Sequence, residues 1–338
     1  MGVHMICEIV WDEVPDDSLT SWVDDSNVRV CIRRRPSEMP RKHDGSNIAE
    51  LMFGVVAPQK NRSMAIFRMG NCVLVKLKWL GLGGSRREPA AMELIRQKAP
   101  SVPIPEPLYD WKDPDWFCYF IIMREIRGVA MLDAWWGLAE EHQQRLLREM
   151  ALHIKAVGDI TSPVSVSADG EPFADGMMVW RFEEYNEDME PGRAAGPFTP
   201  EQLHEYATAN TSKRNLQLPP SLGEEFYLCH MDPAPDHFMI SDGQPHPPRD
   251  KNLQVRFPPE RQAGLRVVGI IDWERAGFLP RLMVSWQFRA IIHGQLHTRK
   301  LGLPDTDGME FLDAMVDELV KLGCEDPETC GYRTWWFP

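Results

Sequence analysis

The sequence predicts an α+β architecture, with a small β-rich part followed by a larger and mainly helical one, and three observations predict it. Two apolar runs rich in strand-forming residues, 63–80 and 116–126, lie in the first 130 residues. Apolar residues at helical spacing dominate later, in 137–160 and again in 308–323. Between those helical segments two more apolar runs, "FYLC" and "LRVVGII", each stop at a polar loop that carries an aspartate, Asp232 and Asp272.

With 338 residues, 43% of them hydrophobic, the chain is long enough for two lobes with cores of their own. Fifty acidic residues against 37 basic give a net charge of -13, which repels phosphate backbones and argues against a nucleic-acid partner. No apolar run reaches membrane-spanning length, and "MGVHMICEIVWDEVPDD" lacks a basic segment followed by an apolar one, so a cytoplasmic protein with no membrane partner is expected. The seven cysteines form no CxxC pair and read as buried thiols of a reducing compartment. His293 and His297 stand four apart, as ligands on a helix would, but no cysteine or partner motif accompanies them and an ordinary helix surface is expected.

Residues 1–50 are charged and irregular and are expected to be an N-terminal extension, with "RRRPSEMPRKHDGS" as a solvated loop. "SMAIFRMGNCVLVKLKWL" predicts two strands joined by a tight turn at Gly70 and Asn71, with Lys76 inside the second. "PAAMELIRQKA" has Met92, Ile95 and Ala99 at helical spacing, "SVPIPEPLYDW" is extended by its alternating prolines, and "WFCYFIIMREI" is a buried strand. The first lobe is therefore expected to span 51–127 and a helical lobe 128–338. The latter opens with "GLAEEHQQRLLREMALHIKAVGDI", whose Leu138, Leu146, Met150, Ile154 and Val157 suit an amphipathic helix, and closes with "GMEFLDAMVDELVKLG".

Asp232 and Asp272 follow strands, where side chains leave the core for a cleft. A lysine inside an apolar strand must be paired or neutralised, and the next helix supplies Glu88. A lysine, a helix glutamate and two downstream acids are the parts needed to handle a nucleoside triphosphate with magnesium. Lys78 alternates with Lys76 on the same face and is open to the same role. Glu88 has a second reading, as the last member of a capping box "SRRE" with Ser85 as N-cap, although Pro89 favours placing it just before the helix.

Ordered motifs over residues 55–295 resemble the aminoglycoside phosphotransferase and choline kinase-like family, in particular its fungal branch. "HMDPAPDH" resembles the HxDxxxxN catalytic loop and "GIIDWERAG" the IDWE segment that stands where kinases have DFG. "VLVKL", "EPAAMELI", "SVPIPEP", "FIIMREIRG", "GPF" and "RLMVSWQFRA" fall in the family's order. The resemblance implies a two-lobed protein-kinase-like fold with ATP and magnesium, or manganese in its place, and a small-molecule acceptor. It implies Asp232 as catalytic base, His230 as support of its loop, and Lys76 as the phosphate lysine with Glu88 as its partner. Asp272 would be the principal metal ligand, and the backbone of Arg124, Glu125 and Ile126 would face adenine.

The chain departs from the family at His237, where asparagine would bind a second metal ion, and it has no glycine-rich phosphate loop in "APQKNRSMAIFRMG". Imidazole ligates zinc or manganese more readily than magnesium, and His237 could equally brace the loop without touching metal. Two readings follow. One is ATP-dependent phosphoryl transfer to a hydroxyl of a small molecule. The other is a diverged kinase-like protein, either a binding module or an enzyme of another class that uses Asp232 and His237 as an acid/base pair. The stretch 161–198 is acidic in "RFEEYNEDME" and also carries the aromatics Trp180, Phe182 and Tyr185, open both to an amine-bearing acceptor and to a solvated loop.

Overall fold

Val73, Val75 and Leu77 alternate with Leu74, Lys76 and Lys78, the two-residue period of a strand with two unlike faces. A computed structural model of the chain describes residues 5–10, 18–23, 27, 29–34, 64–69, 72–79, 87–113, 118–173, 195–211, 223–248, 254–288 and 305–326. The chain divides into two compact units, Met1–Pro89 with Pro105–Ile126, and Ala90–Ile104 with Arg127–Pro338. It is α+β, with sheets concentrated in the first unit and the longest helices in the second.

The strands of the first unit are β1 (Met5–Val10), β2 (Ser18–Val23), β3 (Arg29–Arg34), β4 (Met64–Met69), β5 (Val73–Trp79), β6 (Pro107–Asp113) and β7 (Cys118–Arg124). They form two antiparallel sheets, ordered β1-β3-β2 and β4-β5-β7-β6. Register places Val75 opposite Ile122 and Leu77 opposite Phe120, so these four share one face. That face is buried together with Trp22 and Ile32 from the N-terminal sheet, and Trp111 stacks on Phe120 at 4.5 Å. Thr20 Oγ1 donates to Leu108 O at 3.3 Å, a polar tie between the sheets.

Within 1–50, Met5–Val10, Ser18–Val23 and Arg29–Arg34 are strands and not the irregular extension expected, because charges at Arg29, Arg33 and Arg34 mask the strand pattern in which Trp22, Cys31 and Ile32 are buried. The turn at Gly70 and Asn71, Ser85, His293 and His297, the whole of "RFEEYNEDME" and most of "RRRPSEMPRKHDGS" lie outside the described residues.

Helix α1 (Arg87–Lys98) begins at the end of the first unit. The second unit contains α2 (Glu140–Gly158), α3 (Pro200–Thr211) and α4 (Asp305–Lys321), with a further helical stretch at 283–288. Leu146, Leu147, Met150, Ile154 and Val157 of α2 are buried, as the helical spacing predicts. This helix packs on α4 and on two small antiparallel sheets. One is β9 (Thr161–Ser162), β10 (Phe226–Cys229) and β13 (Gly277–Pro280), ordered β13-β10-β9. The other is β8 (Val129–Ala130), β11 (Phe238–Ser241) and β12 (Arg266–Ile270), ordered β12-β11-β8. Gly128 precedes β8 because a Cβ there would lie 2.8 Å from Ile240 O. Among the described residues no helix is long and apolar enough to cross a membrane.

The insert between β11 and β12 is tied by a fork. Arg261 Nε and Nη2 donate to Asp242 Oδ2 at 2.5 Å and Oδ1 at 2.7 Å. These bonds, against burial and with help from the Gln244 amide, hold the Asp242 carboxyl down to about 2 from its ordinary 3.8. A depressed carboxyl stabilises the fold above its unfolded pKa and loses that contribution as pH falls through the folded value. The difference in urea midpoint between the wild type and Asp242→Asn is therefore expected to be full at pH 6 and to shrink as pH falls from about 4 toward 2. A gap that stays constant over that range would show that the pair contributes nothing through charge.

Candidate active site

Topology alone brings the two aspartate loops together. The end of β10 pairs with the start of β13, Cys229 opposite Gly277, and the start of β11 pairs with the end of β12, Phe238 opposite Ile270. The loop from β10 to β11 (230–237) and the loop from β12 to β13 (271–276) are thus bounded by the same two strand pairs and must lie side by side. Asp232 sits in the first and Asp272 in the second.

Backbone bonds then lock the loops to one another. Ile271 N–H donates to His237 O at 3.0 Å, and Ile271 O lies 2.9 Å from His230 Nε2. Asp232 N–H donates to His230 Nδ1 at 3.3 Å, so Nε2 is the nitrogen that donates to Ile271. His230 is fully buried, with its ring centroid 4.4 Å from that of Trp273, whose own Nε1 donates to Ile270 O. These two bonds of His230 go to main chain, one within its own loop and one to the loop of Asp272.

Two residues of the site adopt left-handed backbone, Met231 at φ 71 and Asp272 at φ 68. Met231 is a costly residue there, and its N–H is met by Gln287 Oε1 at 2.9 Å, while Gln287 Nε2 donates to Val284 O. Sequence reading missed Gln287; its only signal was a polar residue inside "VSWQF". Gln287→Leu would leave the Met231 N–H buried without an acceptor and is expected to cost about 1–3 kcal/mol of stability, measurable by urea unfolding.

His237 braces its own loop and also faces the second. Its Nδ1 lies 2.6 Å from Asp232 O, and its Nε2 lies 3.5 Å from Asp272 Oδ2 and 4.0 Å from Asp236 Oδ2. Burial opposes its protonation, but the carboxylates of Asp272, Asp236 and Asp232 and the bond to Asp232 O outweigh it, and its pKa is raised. Asp232 is raised as well, chiefly by burial, with Arg275 and His237 pulling the other way. Arg275 Nη1 stands 3.7 Å from Asp232 Oδ2, a neighbour the sequence reading also missed.

Ligand atoms of Asp232, His237 and Asp272 all lie within 4.8 Å of one another. Two carboxylates and an imidazole at that spacing fit a divalent cation.

In the first unit Lys76 and Glu88 are 4% and 3% exposed, and Lys76 Nζ lies 3.0 Å from Glu88 Oε1 and 2.8 Å from Oε2. Of the two lysines left open by the alternation, Lys76 meets Glu88. The carboxylate of Glu88 is turned to the lysine from the first turn of α1. In the segment expected to face adenine, Arg124 N–H donates to Glu106 O and Glu125 N–H to Cys72 O, so two of its three amides are engaged by protein carbonyls. The side chains pair too, Arg124 with Glu106 and Glu125 with Arg68.

No protein-family model matches the chain, and no curated protein matches it. Solved structures similar to it include an aminoglycoside phosphotransferase in a ternary complex with streptomycin and ATP, at 13% identity and TM-score 0.45 over 81% of this chain and 78% of that one. An aminoglycoside-3'-phosphotransferase of type VIII aligns at 15% identity and TM-score 0.44 over 82% of this chain and 90% of that one. At such identities, and with TM-scores below 0.5, the likeness names no activity for this chain.

Proposed function

We propose that this chain is an ATP-dependent phosphotransferase of the aminoglycoside phosphotransferase-like family, in its fungal branch, acting in the cytoplasm on a hydroxyl of a small molecule. The observation that carries the reading is the pair of interlocked loops, which set a desolvated Asp232 beside Asp272 and His237. Asp232 is the base: burial raises its carboxyl toward working pH, which strengthens it as a proton acceptor. It takes the proton of the acceptor hydroxyl as that oxygen bonds to the terminal phosphorus of ATP and the bond to the bridging oxygen breaks, releasing ADP.

Asp272, with His237, would hold magnesium or manganese, which when bound neutralises charge on the β- and γ-phosphates. His230 positions the Asp232 loop through its two main-chain bonds. Lys76, fixed by Glu88, offers an ammonium to the α- and β-phosphates, and the purine edge meets Ile126 N–H or the carbonyls of 124–126. Catalysis on this plan is mainly positioning and charge neutralisation.

The test is calorimetric titration with a non-hydrolysable ATP analogue, with and without magnesium or manganese. Micromolar binding that requires metal supports the reading. No binding under any of these conditions sinks it. Nucleotide-independent turnover lost in His237→Ala would then identify the diverged enzyme instead. Against that alternative, the His237 ring bonds to the main-chain oxygen of Asp232 and not to its carboxylate.

A further inference from the structure

We propose that Asp232, His237 and Asp272 form a three-ligand site that binds a divalent transition ion of the zinc or cobalt kind in the absence of nucleotide, in preference to magnesium. The inference concerns the protein alone and does not depend on phosphoryl transfer.

The first support is the orientation of one ring. A carbonyl oxygen only accepts, so at 2.6 Å from Asp232 O the His237 Nδ1 carries the hydrogen, and in the neutral ring, which an incoming cation favours by displacing the second proton, the ligand lone pair belongs to Nε2. Metal-binding histidines are held in this way, by a carbonyl or carboxylate on the nitrogen away from the ion. Here Nε2 is turned to Asp272 Oδ2, 3.5 Å away.

The second support is the spacing of the set. Three ligand atoms within 4.8 Å of one another need only a small adjustment to reach bonds of about 2.0–2.2 Å to one ion. Their backbones are already held by Gln287, His230 and Ile271, so little ordering is left to pay for. The three side chains are 15–22% exposed, which leaves an open side for water or a substrate oxygen. Three protein ligands and an open position are the arrangement of catalytic rather than structural zinc sites.

Ion preference follows from the imidazole. Magnesium favours an all-oxygen octahedron and gives up its water reluctantly, whereas nitrogen donors and the order of divalent affinities favour cobalt and zinc. Arg275, half exposed and 3.7 Å from Asp232, balances the carboxylates in the metal-free protein and is free to move into solvent. A carboxylate has two oxygens, so serving an ion does not remove Asp232 as a proton acceptor.

The experiment is titration of the full chain with Co2+ alone, followed by visible absorption and by calorimetry with Mg2+ as competitor. One equivalent is expected, with affinity at least about 100-fold above that for Mg2+, and an absorption spectrum altered by nitrogen coordination. His237→Ala and Asp272→Asn are each expected to weaken it by about 10–100-fold, and His237→Asn, which keeps a polar brace in the loop, to lose the preference over Mg2+. His293→Ala is expected to change nothing. The proposal is overturned if Co2+ is not taken up without nucleotide, or if Mg2+ competes equally. Uptake that is unchanged in a His237→Asn variant with a wild-type thermal midpoint overturns it as well.

Discussion

In the Asp272→Asn variant, metal-dependent nucleotide binding is expected to disappear and turnover to fall by roughly 10²–10³-fold, while the unfolding midpoint stays near that of the wild type. Asparagine is the informative replacement because residue 272 sits at φ 68, a conformation that asparagine tolerates and alanine does not. Asp272→Ala would therefore mix backbone strain with the loss of charge. Asparagine keeps one amide oxygen within reach of His237 Nε2, 3.5 Å from the carboxylate in the wild type, but removes the charge and leaves Asp232 as the remaining acid of the ligand set. Calorimetry with the ATP analogue and magnesium, beside a urea curve, separates the two effects. Retention of metal-dependent binding would remove Asp272 from the metal site.

Glu88→Ala is expected to destabilise the protein by about 3–5 kcal/mol, because it breaks a buried ion pair by removing one member. Lys76 is 4% exposed and inside a sheet, so it cannot reach water without opening β5 from its neighbours. The double replacement Lys76→Met with Glu88→Leu is expected to recover most of that loss, since burying two apolar groups of similar size costs less than breaking a buried pair from one side. Nucleotide binding should not recover with it. Stability restored without binding would assign the pair to phosphate handling. Stability and binding restored together would assign it to the fold alone.

Helices α1, α2 and α4 and the central strands were legible because each obeys one short period, whereas α3 was not read as a helix. Leu146, Met150, Ile154 and Val157 mark α2, and the alternation through Lys76 marks β5. The two aspartate loops were legible as polar ends of apolar runs. The interlock between them was not, because it depends on left-handed backbone at Met231 and Asp272, which no residue type there announces. His237 was open between ligand and brace in the sequence because one ring has two nitrogens. The fold uses Nδ1 as the brace and turns Nε2 toward Asp272. The N-terminal sheet was hidden for another reason. Arg29, Arg33 and Arg34 interrupt the apolar run of β3, and the residues that bury Trp22 and Ile32 lie dozens of positions away in sequence, where no local window can find them.

That sheet bears on how the protein can be handled. Trp22 and Ile32 cover the same surface as Phe67, Val75, Leu77 and Phe120. Trimming the chain to begin near residue 60, an obvious choice if the first 50 residues are taken for a dispensable tail, would expose that aromatic and aliphatic face to water. An uncovered patch of this kind drives self-association, and the shortened protein would be recovered as aggregate while its loops at Asp232 and Asp272 remained chemically intact.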